Sequence, residues 1–163
     1  MRRPRRRDVL ASAAPRRGLS CPGMAASELP VEREETALVR SFVVAAKQER
    51  WIDFLAHPKR REKATATLAH CRDLDRRWVV GLPRDRQGVD EIERALRSLG
   101  AGDTCHVISE SPAIDGRRLP LPEALGVVVG FGLGTLLSCV PGKLAYFEGE
   151  GPSDRCILAR PSA

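Results

Sequence analysis

Val89, Ile92, Leu96 and Leu99 recur at the three- and four-residue spacing of one helix face. Asp90 and Glu91 stand in its opening turn and Gly100 follows the last apolar position, so a helix is predicted here with both ends marked. Other apolar runs are shorter and richer in β-branched residues. Leu38–Val44, Trp78–Leu82, Thr104–Ile108, Thr135–Val140, Leu144–Phe147 and Arg155–Arg160 are predicted strands. Lys47–Ala56 carries Trp51, Ile52, Phe54 and Leu55 among charges, as a short amphipathic helix does. Pro58 suits the first turn of a second helix running to about Cys71, because its missing N–H is an orphan there anyway. A further helix is predicted from Pro122 to near Gly130.

The resulting order is β-αα-β-α-β-α-β-β-β. It predicts an α/β domain, with α+β as the alternative, holding a mixed sheet that ends in an antiparallel meander. Pro141-Gly142 supplies the turn between two of the last strands, Pro presetting its backbone angle and Gly tolerating positive φ.

The apolar run Ala124–Val140 contains no charge, and Gly126, Gly130 and Gly134 sit in it at GxxxG spacing. It is at the lower length limit for a membrane span and rich in Gly, so a helix followed by a buried strand is the expected reading. The same glycines outline a phosphate loop, Gly130-Phe131-Gly132-Leu133-Gly134-Thr135. A dinucleotide loop follows a strand and opens a helix, and here that order is reversed. No cofactor is therefore expected.

Charge divides the chain. Residues 1–23 hold seven arginines against Asp8, which accounts for the whole formal charge of +6. Residues 1–35 are read as a disordered basic leader in which Met24 is an alternative start, and 36–163 as a single domain. The abundance of Arg over Lys, with Ala, Gly and Pro, fits a GC-rich bacterial genome. Cys21, Cys71, Cys105, Cys139 and Cys156 are odd in number and lack CxxC spacing, so they read as reduced thiols of a cytoplasmic protein.

Within the domain, residues 47–86 carry eleven cations against six acids, and 87–163 carry seven against ten. Lys59, Arg60, Arg61 and Lys63 crowd the first turns of the second predicted helix, where the helix dipole disfavours cations. They are the candidate site for a phosphate or carboxylate. If the first three strands are parallel, a second site lies beyond their C-terminal ends. Lys47, Arg84 and Arg86 would line that crevice, with Glu110 as general base and Ser109 or Ser111 as nucleophile.

Cys105-His106 places a thiol beside a base in sequence, but neighbouring strand residues point to opposite faces. The three histidines show no HxxxH spacing, so no metal is expected. The expected role is a small cytoplasmic binding module for an anionic, phosphorylated ligand or an acidic protein surface. A small enzyme centred on Glu110 and a structural interaction module pairing through a meander edge are the alternatives. Nucleic acid is not expected as a partner, because few aromatics are available to stack on bases. Nor is a membrane.

Overall fold

The computed structural model describes residues 30–161. Five α-helices, α1 (Val31–Phe42), α2 (Gln48–Ala56), α3 (Pro58–Thr65), α4 (Val89–Ser98) and α5 (Leu121–Val128), surround a six-stranded sheet. Its strands are β1 (Val79–Gly81), β2 (Thr104–Ser109), β3 (Arg118–Pro120), β4 (Thr135–Val140), β5 (Leu144–Glu148) and β6 (Cys156–Ala159). They lie in the order β1-β6-β5-β4-β2-β3, with every neighbouring pair antiparallel.

The α/β class holds, and β4-β5-β6 form the expected meander. Its first turn is the one read from Pro141-Gly142, where Gly142 takes φ +66° and the Lys143 amide donates to Val140 O at 2.9 Å. The sheet is not mixed, however. Strands on both faces alternate their side chains between two cores. Ile108, Leu136, Ala145, Phe147, Cys156 and Leu158 meet α1, α2 and α3. Cys105, Val107, Leu137, Tyr146 and Ile157 meet α4 and α5. Burial of both faces is why β2, β4 and β5 read as nearly continuous apolar runs.

The predicted strand Leu38–Val44 is instead the C-terminal half of α1. The inward positions of this helix are Glu34, Glu35, Leu38, Val39 and Phe42, a helical spacing masked because two of them are carboxylates. Only Val43 joins a strand-like pairing, a single bridge to Leu74. Residues 31–35, assigned to the leader, thus begin the folded domain. The remainder of the leader, 1–29, lies outside the described residues. The second predicted helix stops at Thr65 rather than Cys71 and continues as a 3₁₀ turn, Leu68–His70. Short β3, between the predicted strand Thr104–Ile108 and the predicted helix from Pro122, pairs with β2.

That 3₁₀ turn crosses the sheet at the end of β5 and the start of β4. A Cβ at Gly134 would lie 2.0 Å from Ala69 N and 2.4 Å from Leu68 C, so only glycine admits the crossing backbone. The Glu150 amide also donates to Ala69 O at 3.2 Å. The crossing separates two clefts on this end of the molecule.

Candidate functional site

The four cations of α3 do not converge on one site. Arg61 turns inward, and its guanidinium donates to both oxygens of Glu35 at 2.8 and 2.9 Å and to both of Asp115 at 2.6 and 3.0 Å. Hydrogen bonds to Asp115 and Glu35 hold Arg61 well above the ordinary arginine value, outweighing burial. Arg60 pairs with Asp53. Lys59 and Lys63 are exposed and carry no ion-pair partner among the described residues. The stability puzzle of cations at a helix start has a tertiary answer: the one that matters meets acids from α1 and from the β2–β3 loop.

The parallel-strand crevice is absent. β1 and β2 run the same way, but β6, β5 and β4 lie between them, which separates their ends by about 19 Å. Lys47, Arg84 and Arg86 are all exposed; Arg84 and Arg86 follow β1, across the sheet from Ser109 and Glu110, and Lys47 follows α1 rather than a strand. Ser109 is buried; its Oγ shares a hydrogen bond with Thr135 Oγ1 at 2.8 Å and accepts from the Ser111 amide at 3.1 Å. No base reaches it to make it a nucleophile. Glu110 Oε2 accepts from the Gly134 amide at 2.8 Å.

One consequence is visible only in three dimensions. Arg61 and Glu110, which belonged to separate candidates, line the same cleft of about 650 Å³, together with Glu62, Thr65, Ser109 and Asp115. Its carboxylates Glu62, Glu110 and Asp115 face one arginine that is already paired. The field has the wrong sign for an anion.

The glycine loop is the α5–β4 connection, so the helix-before-strand order stands. The amides of both its outer glycines are occupied. Gly130 N donates to the buried Glu148 carboxylate at 3.0 Å, as Gly134 N does to Glu110. Tyr146 and Arg155 complete the Glu148 cage. A phosphate would have to displace two carboxylates. Among the described residues no helix is long and apolar enough to cross a membrane.

Cys105 and His106 diverge as alternation requires. Cys105 faces the α4–α5 core, where burial pushes its thiol up to about 12. His106 lies fully buried on the other face, its Nε2 2.7 Å from Glu35 Oε1. Its Nδ1 and the Oγ of its cross-strand partner Ser138 have no hydrogen-bond partner among the described residues, but both side chains are fully buried. Among the described residues no group of three His, Cys, Asp or Glu is arranged to hold a metal.

The larger cleft, about 800 Å³, lies on the other side of the crossing turn. His70, Cys71, Arg72 and Arg76 come from one segment, and Ser153, Asp154 and Cys156 from the start of β6 and the turn before it. Residues 72, 74 and 76 line it while 73 and 75 do not, the alternation of extended chain. Asp73 is held from behind by the Trp51 indole N–H at 3.0 Å. Asp75 is engaged by Arg77 at 2.5 and 3.0 Å, a hydrogen-bonded pairing that keeps its carboxyl below the ordinary range. Neither Asp73 nor Asp75 lines the cleft.

Arg72 and Arg76 remain exposed, with no ion-pair partner among the described residues, and Asp154 is the one carboxylate in the lining. Sequence reasoning counted these arginines within the basic stretch but did not single them out. The alternation Arg72-Asp73-Leu74-Asp75-Arg76 was the available signal.

Comparison with known proteins adds no assignment: no family model matches the chain, and neither a curated protein nor a solved structure matches it.

Proposed function

We propose that this chain is a small binding module for an anionic ligand, phosphorylated or carboxylated, seated between Arg72 and Arg76. The observation that carries the reading is that the cleft of about 800 Å³ presents two arginines without carboxylate partners among the described residues. A guanidinium offers a planar fork of donors that matches a phosphate or carboxylate at two points. Ser153 adds a hydroxyl donor to the lining, and His70, also in the lining, is engaged by Glu150 at 3.2 Å. The reading moves the site away from α3, where Arg61 already has two carboxylates. Four free thiols among the described residues, Cys71, Cys105, Cys139 and Cys156, support a reducing, cytoplasmic setting. The basic, arginine-rich composition supports a bacterial source.

A thermal-shift panel on the full chain tests this, with inorganic phosphate, sugar phosphates, nucleotides and dicarboxylates as probes. A ligand at a hundred times its dissociation constant stabilises by about 2.7 kcal/mol. The expected result is a rise with at least one anion that disappears in Arg72→Glu/Arg76→Glu and survives in Lys59→Glu/Lys63→Glu. A flat panel, or a rise indifferent to Arg72 and Arg76, overturns the proposal.

A further inference from the structure

Two thiols open onto the same cleft as Arg72 and Arg76. Cys71 is half-buried, between His70 and Arg72 in the chain. Cys156 opens β6, 8% exposed, in the core cluster against which Cys71 packs. Both thiols thus share one core cluster and one cleft, whereas the other buried thiols among the described residues, Cys105 and Cys139, lie on the opposite face.

We infer that Cys71 and Cys156 make this cleft a thiol–disulfide exchange site whose substrates are anionic disulfides. The inference rests on the anionic reading of the cleft given above. Arg72 and Arg76 hold the anionic groups, and the disulfide bond lies over Cys71. The Cys71 thiolate attacks one sulfur, forming a mixed disulfide and releasing the other half as a thiolate. Cys156, as thiolate, then attacks Cys71 Sγ, forming the Cys71–Cys156 disulfide and releasing the second half. The ligand disulfide gains two electrons, the cysteine pair loses two, and the two cysteine protons end on the released thiols.

The order of attack follows from exposure. Burial pushes the Cys71 thiol up, and the Asp73 charge adds to it, against the backbone N–H groups of Asp73 and Leu74, which favour its thiolate. Cys156 is pushed up to about 12, by burial first and then by the neighbouring Cys71 charge. Cys71, more open and less hindered, attacks first, and exchange quickens as pH rises. Once Cys71 is bound in a mixed disulfide it bears no charge, and its repulsion on Cys156 is gone.

The test exposes the full chain to 5,5′-dithiobis(2-nitrobenzoate), a dianionic disulfide, and to 2,2′-dithiodipyridine, a neutral one. Peptide mass mapping locates the products on the unaltered chain, so that reaction at Cys21 is scored separately. The expected products are an adduct at Cys71 and then a Cys71–Cys156 disulfide. The preference for the dianionic probe should fall about tenfold in Arg72→Glu/Arg76→Glu. In Cys156→Ser the Cys71 adduct should persist. A Cys71 unreactive toward both probes overturns the exchange site and leaves the anion reading to the thermal-shift panel. A Cys71 that reacts with both probes equally, and indifferently to Arg72 and Arg76, overturns the anionic selectivity instead. A mixed disulfide that persists with Cys156 intact overturns the pairing.

Discussion

Arg61 grips Glu35 at two points, Nη2 to Oε1 at 2.8 Å and Nη1 to Oε2 at 2.9 Å, joining α3 to α1 beneath the surface. The side chains are 18% and 6% exposed, so this pair is screened from water far more than a surface ion pair. Removing one partner leaves an uncompensated buried charge. Arg61→Leu should destabilise the domain by about 3–5 kcal/mol in urea unfolding. Lys59→Ala and Lys63→Ala should each stay within about 0.5 kcal/mol of the parent. Equal effects at all three positions would mean that Glu35 finds another partner.

The same pair sets an acid limit. Burial pushes Glu35 up, but hydrogen bonds from His106 and Arg61, with their charges, outweigh it and hold Glu35 below the ordinary 4.5. The unfolded chain then binds this proton more tightly than the folded one. The stabilisation is complete above the ordinary value and is lost as pH falls through the lower, folded value. Urea midpoints should hold through the neutral range and decline below about pH 4.5, and Glu35→Gln should flatten that decline. An identical slope in the variant would assign the acid sensitivity elsewhere.

Glycine to alanine should have opposite signs at two positions of one apolar run. Gly134→Ala drives a methyl into the Leu68–Ala69 backbone, which cannot yield as a side chain does, and should cost about 3 kcal/mol. Gly126, exposed within α5, has nothing within 4 Å of an added Cβ. Gly126→Ala should stabilise by about 0.5–1 kcal/mol through helix propensity. Thermal melts of the two variants decide the point.

Tyr146→Phe removes the hydroxyl that donates to Glu148, a fully buried carboxylate. The remaining donors are the Gly130 amide and Arg155, so one acceptor oxygen is stranded. The expected loss is about 1–3 kcal/mol. Faster amide exchange at Gly130 should accompany it, because that amide reports on the same carboxylate. A change in stability without a change at Gly130 would show the cage to be less connected than its geometry.

Local signals served where structure is local. The α4 face from Val89 to Leu99 and the Pro141-Gly142 turn need only neighbours in sequence, and both stand as read. The first helix was hidden because Glu34 and Glu35 occupy inward positions, and their partners are Arg118, Arg61 and His106. Arg61 was misassigned for the matching reason: its acids lie 26 and 54 residues away. The cleft assembles 69–79 with Phe147 and 153–156, segments far apart in the chain, so no spacing in the chain announces it. Its arginines stood within the basic stretch, and only the pairing of their neighbours distinguishes them.

The buried acids of α1 also impose a timetable on synthesis. Glu35 must wait for His106, 71 residues later, and Glu34 for Arg118, 84 residues later. At about 5–20 residues per second the ribosome takes roughly 4–17 s to supply the second of these. Through most of that interval the newborn helix has an apolar side, Glu34 has no charge to answer it, and Glu35 has only Arg61, supplied 26 residues on. It stays wet and loosely held, a segment for holding chaperones to find, until the sheet emerges and closes over it.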